Sequence, residues 1–264
     1  MRRIAIVPVY NEEATLRPVL DSLAAQVDLV VIVDDGSSDG SLGVARRCAQ
    51  QDSRICILHL PQNRGMSAAL REGFMYLALL LEDGALDPGD LVFTMDADGQ
   101  HDSREIDSLA EHVARRDLDV ALTRRDFALY PRHKRWGNRL MTAWGSLWSG
   151  FRYDDIESGF RAMRLRVIPP LMEYYSGRRY SCAQEIAVLT ARLGFRVDNS
   201  FGTVIQLYRS QTGLKDVMIN AAMSAWAFLR WRLRCRIGRR AALAQTIAAA
   251  GPVARQGSRA AAGP

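Results

Sequence analysis

Hydrophobic positions in the first hundred residues alternate between two rhythms. Arg3–Val9 is a short β-branched run that predicts a strand, and Leu16, Val19, Leu20 and Leu23 then recur at the spacing of one helix face. Asn11 stands where an N-cap would, with Glu12 and Glu13 in the first turn, where the helix dipole favours acids. Leu29–Val33 predicts a second strand running into Asp34-Asp35-Gly36, followed by a helix near Ser41–Gln50. Ile55–Leu60 predicts a third strand, Met66–Leu81 a helix, and Leu91–Met95 a fourth strand that stops at Asp96. This order predicts an α/β fold, a mostly parallel sheet with right-handed crossovers and helices on both faces. Ligands of such sheets collect at the carboxyl ends of the strands. Tyr10–Glu12, Asp34–Gly36 and Asp96–Gln100 all fall at strand ends, so separate strands deliver polar groups to one edge.

Beyond Ser103 the rhythm loosens. A helix over Ser103–Arg115 and a strand over Val120–Thr123 precede a basic, aromatic stretch from Arg124 to Trp148. Cys182–Leu193 predicts a helix and Arg196–Ile205 a strand. Val217–Leu229 is apolar except for Asn220 and Ser224, but its 13 residues fall short of the ~20 a spanning helix needs. The Ala/Gly/Arg-rich residues 241–264 predict a disordered tail.

Charge changes this picture at the C-terminal end. The net charge is +6, yet no acid follows Asp216, whereas eight arginines follow from Arg230 onward. Without those eight, 27 basic residues face 29 acidic ones, so the rest of the chain is close to neutral. Basic residues beside an apolar run predict an amphipathic helix over 216–240, either at an anionic membrane interface or packed on the body. Nucleic acid is not expected as a partner, because no aromatic stacking platform or binding motif accompanies the arginines. The four cysteines are scattered without a Cys-x-x-Cys pair, which argues against a zinc site and fits a reducing compartment. No signal peptide is expected from Met1-Arg2-Arg3 and the short apolar run that follows.

Three clusters carry candidate chemistry. Asp96 and Asp98, at i and i+2 just past a strand, can both reach a hard cation if the backbone turns at Gly99. Mg²⁺ or Mn²⁺ takes oxygen ligands and shares them with substrate phosphates. Taken alone, the pair reads first as a solvated loop, and the glycine position and preceding strand exclude an EF-hand. Asp34 and Asp35 suit hydrogen bonds to ribose or base, while Ser38 or Asp39 can cap the next helix; no Gly-x-Gly-x-x-Gly follows the first strand. Arg124, Arg125, Arg132, Lys134, Arg135 and Arg139 can bind a phosphate or form a solvated basic face.

Val7-Pro8-Val9-Tyr10-Asn11-Glu12, Asp34-Asp35-Gly36-Ser37, Asn63-x-Gly65, Asp96-x-Asp98-Gly99-Gln100-His101 and Asp155-x-x-Ser158-Gly159-Phe160-Arg161 occur in that order. Together they resemble family 2 glycosyltransferases of the GT-A fold, and among these the dolichyl- and polyprenyl-phosphate mannose or glucose synthases. The resemblance implies a GT-A catalytic domain over 1–215 and a hexose moved, with inversion, from a GDP-mannose or UDP-glucose type donor to a polyprenyl or dolichyl phosphate. It implies that Pro8, Tyr10, Glu12, Asp34, Asp35 and Asp96 bind the nucleotide-sugar. Asp96, Asp98 and Gln100 would hold Mg²⁺ or Mn²⁺, with Asp98 and Asp155 in catalysis. Arg124, Lys134 and Arg135 fall where such synthases bind the acceptor phosphate. The expected location is the cytoplasmic face of the membrane, as a peripheral protein. A soluble or surface-glycan hydroxyl acceptor is the alternative, and it would need Asp155 as base. Met66 stands where many relatives carry lysine, and the Gln-x-x-Arg-Trp motif of processive synthases is absent.

Overall fold

The computed structural model describes residues 1–127, 130–178, 181–203 and 214–249; of the side chains at 214–217 and 236–249 only the helical backbone is described. Four strands come first: β1 (Arg3–Val9), β2 (Leu29–Asp34), β3 (Ile55–His59) and β4 (Leu91–Thr94). They are linked by α1 (Glu13–Leu23), α2 (Ser41–Gln51) and α3 (Met66–Glu82), in the predicted order and close to the predicted bounds. Next come α4 (Glu105–Arg115), β5 (Val120–Leu122), β6 (Arg124–Arg125), α5 (Arg132–Ser149) and β7 (Arg161–Arg164). A short 3₁₀ turn leads to α6 (Ile168–Met172), then α7 (Cys182–Arg192), β8 (Val197–Asp198), β9 (Gly202–Thr203) and α8 (Leu214–Ala249).

The main sheet has seven strands in the order β3-β2-β1-β4-β7-β5-β8, and β6 pairs with β9 beside it. All main-sheet pairings are parallel except those of β7, which runs antiparallel to both β4 and β5. Alternation along the strands supplies both faces. Ile4 and Ile6 of β1 join Phe74 and Leu77 of α3 in one core, while Ala5 and Val7 join Leu16 and Leu20 of α1 in the other. This is the predicted α/β architecture with helices on both faces.

The antiparallel strand is the consequential addition. Because β7 runs against β4, its N-terminal approach lies at the edge where β4 ends; Arg161 is the register partner of Thr94. The chain from Asp155 to Phe160 is thereby carried to Asp96. The strand predicted over Arg196–Ile205 is instead split into β8 and β9 by Asn199 and Ser200, and residues 204–205 lie outside the described residues. Residues 250–264 of the predicted tail also lie outside them.

Two capping expectations are corrected. Asn11 does not cap α1: it has a φ of 56°, and its Oδ1 accepts the Ser38 N–H at 2.8 Å. Short-side-chain Asn tolerates the left-handed region, and here it ties two loops together. Glu12 precedes the helix with no side-chain cap bond. Asp39 does serve α2, accepting the Ser41 N–H at 2.9 Å.

Candidate active site

The edge is assembled from four loops. Pro8 is buried in β1, and the Tyr10 ring just beyond it is 45% exposed. The segment Asn11–Glu13 is zipped to Ser37–Ser41: Ser37 Oγ accepts the Asn11 N–H at 3.1 Å and Ser41 Oγ the Glu12 N–H at 2.8 Å. Glu13 Oε2 returns the contact by accepting the Gly40 N–H at 3.0 Å. The first two predicted clusters are therefore one rigid unit.

Asp34 and Asp35 are both buried but face different partners. Asp34 Oδ2 lies 2.7 Å from His59 Nδ1, and its Oδ1 is buried with no partner among the described residues. Asp35 accepts the Arg64 N–H at 2.8 Å and the Gly65 N–H at 2.7 Å. Burial pushes the Asp35 carboxyl up, although those N–H groups and Arg64 pull against it. Asp35 thus holds the Asn63–Gly65 loop in place and has little left for a ligand, while Asp34 keeps one buried oxygen unpartnered among the described residues. Gly36 makes this fit possible, since its φ is +69° and a Cβ would stand 2.6 Å from the Gln62 carbonyl carbon.

Asp96 stands just past the end of β4. Its carboxyl is pushed up to about 6, first by burial and then by the charge of Asp98, with Arg161 and Arg125 opposing. No side-chain hydrogen bond reaches it among the described residues; His101 Nε2 lies 3.9 Å from Asp96 Oδ2. His101 is itself buried against Phe160, and burial lowers its pKa to about 4, so it is neutral at physiological pH. Asp98 is oriented by Gln100, whose backbone N–H reaches Oδ1 at 3.0 Å and whose side-chain amide reaches Oδ2.

Two neighbouring carboxylates, of which Asp96 has no donor among the described residues, suit a hard divalent cation, which would relieve the repulsion that raises Asp96. Asp96, Asp98 and the carbonyl oxygen of Gln100 fit Mg²⁺ or Mn²⁺ as an all-oxygen set. Among the described residues no cluster of three His, Cys, Asp or Glu could complete such a site from protein alone. Substrate phosphates are the expected remaining ligands.

Gly159 presses on Asp96 from the segment that leads into β7. A Cβ built there would lie 2.3 Å from Asp96 Oδ2, and the Gly159 carbonyl is pinned by the Thr94 hydroxyl at 2.8 Å. Gly159→Ala is expected to push the Asp96 carboxylate aside and lower kcat about 100-fold, the usual penalty for a displacement near 1 Å. Steady-state kinetics against an unchanged thermal melt would check this. An activity within about threefold of the parent would show that Asp96 does not need this position.

Asp155 is completely buried and saturated. It accepts five hydrogen bonds: from the Arg125 N–H, Nε and Nη2 at 3.1, 2.7 and 2.9 Å, the Glu157 N–H at 3.1 Å and Asn138 Nδ2 at 3.3 Å. Burial alone would raise its carboxyl, but the Arg125 guanidinium and the backbone donors outweigh it and hold the carboxyl below the usual range. Arg125 also reaches Asn138 Oδ1 at 2.9 Å and lies over the Phe127 and Tyr130 rings at 5.4 and 5.7 Å. As the protein stands, Asp155 orients an arginine and is a poor base.

Alternation along β6 separates the two arginines the sequence put side by side. Arg125 turns inward to Asp155, whereas Arg124 turns outward, its side chain half exposed and 3.5 Å from Asp154. Lys134 and Arg135 sit in the first turn of α5, where Arg135 Nε donates to the Tyr130 carbonyl at 2.9 Å. The inward residue at this corner is Arg125, which the spacing of the motif did not single out.

Three further residues were not legible as site residues. Asn199 clamps the corner: its Oδ1 accepts the Asp154 and Asp155 N–H groups at 2.7 and 2.9 Å, and its Nδ2 reaches the Leu122 and Asp155 carbonyls at 2.8 and 3.0 Å. Arg161 is the largest fully buried side chain, with its Nε unpartnered among the described residues and its charge acting on Asp96. His101 lines Asp96, as described above.

The geometry can now be set beside known proteins. The family model for glycosyl transferase family 2 matches residues 4–183. The chain belongs to glycosyl transferase family 2. Undecaprenyl-phosphate mannosyltransferase of Micrococcus luteus is 30% identical over 254 residues, covering 90% of this chain and the whole of that protein. Undecaprenyl-phosphate 4-deoxy-4-formamido-L-arabinose transferase of Edwardsiella ictaluri is 33% identical over 175 residues, covering 63% of this chain and 50% of that one. Among solved structures, glucosyl-3-phosphoglycerate synthase from Mycobacterium tuberculosis with Mg²⁺ and UDP superposes with a TM-score of 0.63 at 19% identity, covering 86% of this chain and 78% of that one. At that identity the likeness shows the fold, GT-A, which accords with the family resemblance of the sequence. As a member of this family the chain is a glycosyltransferase.

Proposed function

We propose that the chain transfers a hexose from a nucleotide-sugar of GDP-mannose or UDP-glucose type to a polyprenyl phosphate, with inversion, and that it does so with Mg²⁺ or Mn²⁺ at Asp96, Asp98 and Gln100. The observation that carries this is the Asp96–Asp98 pair, open to a ligand at the end of β4, next to a corner built from Arg125 and Asp155. The Micrococcus luteus relative, a transferase by name for undecaprenyl phosphate, supports the acceptor class over nearly the full chain.

The base and ribose would lie over Pro8, Tyr10 and Glu12, with the second Asp34 oxygen as acceptor for a hydroxyl or ring N–H. The bound cation would stabilise charge building on the departing diphosphate. Attack by an acceptor phosphate oxygen on the anomeric carbon forms one C–O bond as the bond to the diphosphate breaks. A phosphate monoester is largely ionised at neutral pH, its second pKa being about 6, so no proton need be removed. What it needs is orientation and charge, which Arg125 could give from within and Arg124, Lys134 and Arg135 from the rim.

A hydroxyl acceptor would need a base, and Asp155 is saturated and held acidic by Arg125, which weighs against that second reading. A peripheral position at the membrane follows from the acceptor's chemistry, and its cytoplasmic face from the nucleotide-sugar donor, as part of the same proposal. The test is transfer by the full chain from GDP-mannose or UDP-glucose, with Mn²⁺, to undecaprenyl phosphate or to soluble sugars. Lipid-linked sugar in the organic extract is the expected product, and Arg124→Ala and Arg135→Ala should each raise the acceptor KM about tenfold. Transfer to the soluble sugars alone, or an acceptor KM indifferent to both substitutions, would refute the acceptor assignment.

A further inference from the structure

Strand order lays out the donor along the edge of the main sheet. Asp34 and Tyr10 stand at the ends of β2 and β1, Asp96 and Asp98 just past β4, and the next strand across is β7. A nucleotide-sugar lying base-first along this edge brings its diphosphate to β4 and its hexose to the segment leading into β7. That segment, residues 155–160, passes beside Asp96, since a Cβ on Gly159 would meet Asp96 Oδ2. Most of its polar side chains are already engaged. Asp155 is saturated, and Ser158 Oγ lies 2.6 Å from Thr123 Oγ1 in the interior. Glu157 is different. It is partly exposed, and among the described residues its carboxyl takes one hydrogen bond, at Oε1. Oε2 accepts none.

That single bond belongs to a relay reaching the C-terminal helix. Gln184 of α7 is fully buried and donates its side-chain N–H to Glu157 Oε1. Its own Oε1 accepts the Ser224 hydroxyl of α8 at 2.8 Å. The partners fix which way the amide points. Glu157 Oε1 and the Met141 carbonyl, 3.5 Å from Gln184 Nε2, only accept, whereas Ser224 supplies a proton. α5 makes room for the amide, because a Cβ on Gly145 would stand 2.5 Å from Gln184 Oε1 and 2.4 Å from Ile156 Cδ1. The Glu157 N–H donates to Asp155 Oδ1 at 3.1 Å, so its backbone is held as well.

The sequence left two placements open for the C-terminal helix, and packing on the body is observed. Buried Ala227 and the stack of Trp148, Phe228 and Trp231 supply the apolar contact, with Arg192 over Phe228 at 4.7 Å. Ser224 and Asn220 are buried in the same face, which costs stability where polar groups go unused; Asn220 Oδ1 has no partner among the described residues. Burial also raises the Glu157 carboxyl, with the Gln184 amide and Arg125 opposing. A buried polar chain kept against those costs, and ending on one unengaged carboxyl oxygen beside Asp96, points to a ligand.

We propose that Glu157 reads the donor hexose, its Oε2 accepting a sugar hydroxyl, and that Gln184 and Ser224 are positioning residues that aim it. The C-terminal helix thereby takes part in donor selection. The inference rests on the proposed nucleotide-sugar donor and takes from it the order of base, diphosphate and hexose along the edge.

Calorimetric titration of the full chain with Mn²⁺ tests it, using GDP-mannose, UDP-glucose and the matching free diphosphates, GDP and UDP. Glu157→Ala should weaken the donor that the parent binds by about tenfold or more, the scale of one hydrogen bond to a charged group, and leave the free diphosphate within about twofold. Gln184→Met and Ser224→Ala should each weaken the donor about threefold with the diphosphate unmoved, and Ser224→Thr, which restores the hydroxyl, should bind as the parent does. Unmoved diphosphate binding also shows that each variant is folded. Among monodeoxy donors, the one lacking the hydroxyl that Glu157 accepts should bind parent and Glu157→Ala alike. Donor and diphosphate weakened together would reduce the relay to a structural brace and overturn the proposal. So would a Glu157→Ala chain that binds the donor as the parent does. A parent that binds neither nucleotide-sugar nor free diphosphate would overturn the donor reading itself, and this inference with it.

Discussion

Asp96→Asn is expected to stabilise the protein while removing its activity. Holding this carboxylate ionised where its pKa is about 6, against an ordinary 3.8, costs the folded state on the order of 3 kcal/mol at neutral pH. The sign follows from the direction of the shift. A carboxyl raised on folding favours the native state below its unfolded value and loses that contribution as pH climbs through about 6. The amide mimics the protonated form at every pH, so the variant should melt roughly 5 °C or more above the parent at pH 7.5 and level with it near pH 4. Transfer should fall about 1000-fold, the scale of losing a group that stabilises developing charge. Thermal melts at the two pH values, together with kcat, check both halves. A variant that melts lower than the parent at pH 7.5 would mean that Asp96 is satisfied by partners and is not a site held open.

The pair Arg125–Asp155 carries the opposite sign. Asp155 is buried and Arg125 largely so, and the arginine pKa is raised further because the Asp155 carboxylate outweighs the burial that would lower it. Removing one partner leaves the other charge uncompensated, so Asp155→Asn and Arg125→Met should each cost about 3–5 kcal/mol. The double variant should cost clearly less than their sum, since neither charge is then stranded. Asp155 is depressed in the native state, so its contribution is present at neutral pH and lost as pH falls through that depressed value. Urea unfolding of the two single variants and the double one measures the coupling. Additive losses below about 1 kcal/mol each would reduce the pair to a surface contact. The functional corollary concerns kcat: with Asp155 orienting Arg125, Asp155→Asn and Arg125→Met should lose activity together, whereas a base at Asp155 would make the aspartate alone critical.

Much of this arrangement can be traced in the residues themselves. The strands β1 to β4 and their helices were legible because apolar runs and helical spacing repeat in regular strand–helix order over elements of four to seventeen residues. The placement of Asp96 at a strand end followed from that. β7 was not legible, since its antiparallel direction is decided by pairing with β4 and β5, distant in sequence. With it went the contact between Gly159 and Asp96, which no spacing announces. The exchange of Arg124 for Arg125 depends on which way a two-residue strand alternates. Asp34 and Asp35 look equivalent in sequence, and only the Arg64 and Gly65 backbone separates their duties. Asn199 lay in what read as a continuous strand, where an Asn that breaks the pairing and gathers carbonyls leaves no periodic mark.

The central claim is that Asp96 and Asp98 hold a divalent metal together with the donor diphosphate. Mn²⁺ binding followed by electron paramagnetic resonance, with and without GDP or UDP, tests it most directly. The account predicts tight Mn²⁺ binding that needs the nucleotide diphosphate, weakens as pH falls through about 6 when a proton competes for Asp96, and disappears in Asp96→Asn. Mn²⁺ bound with equal strength by parent and variant, or bound by the parent without regard to nucleotide and pH, would contradict it.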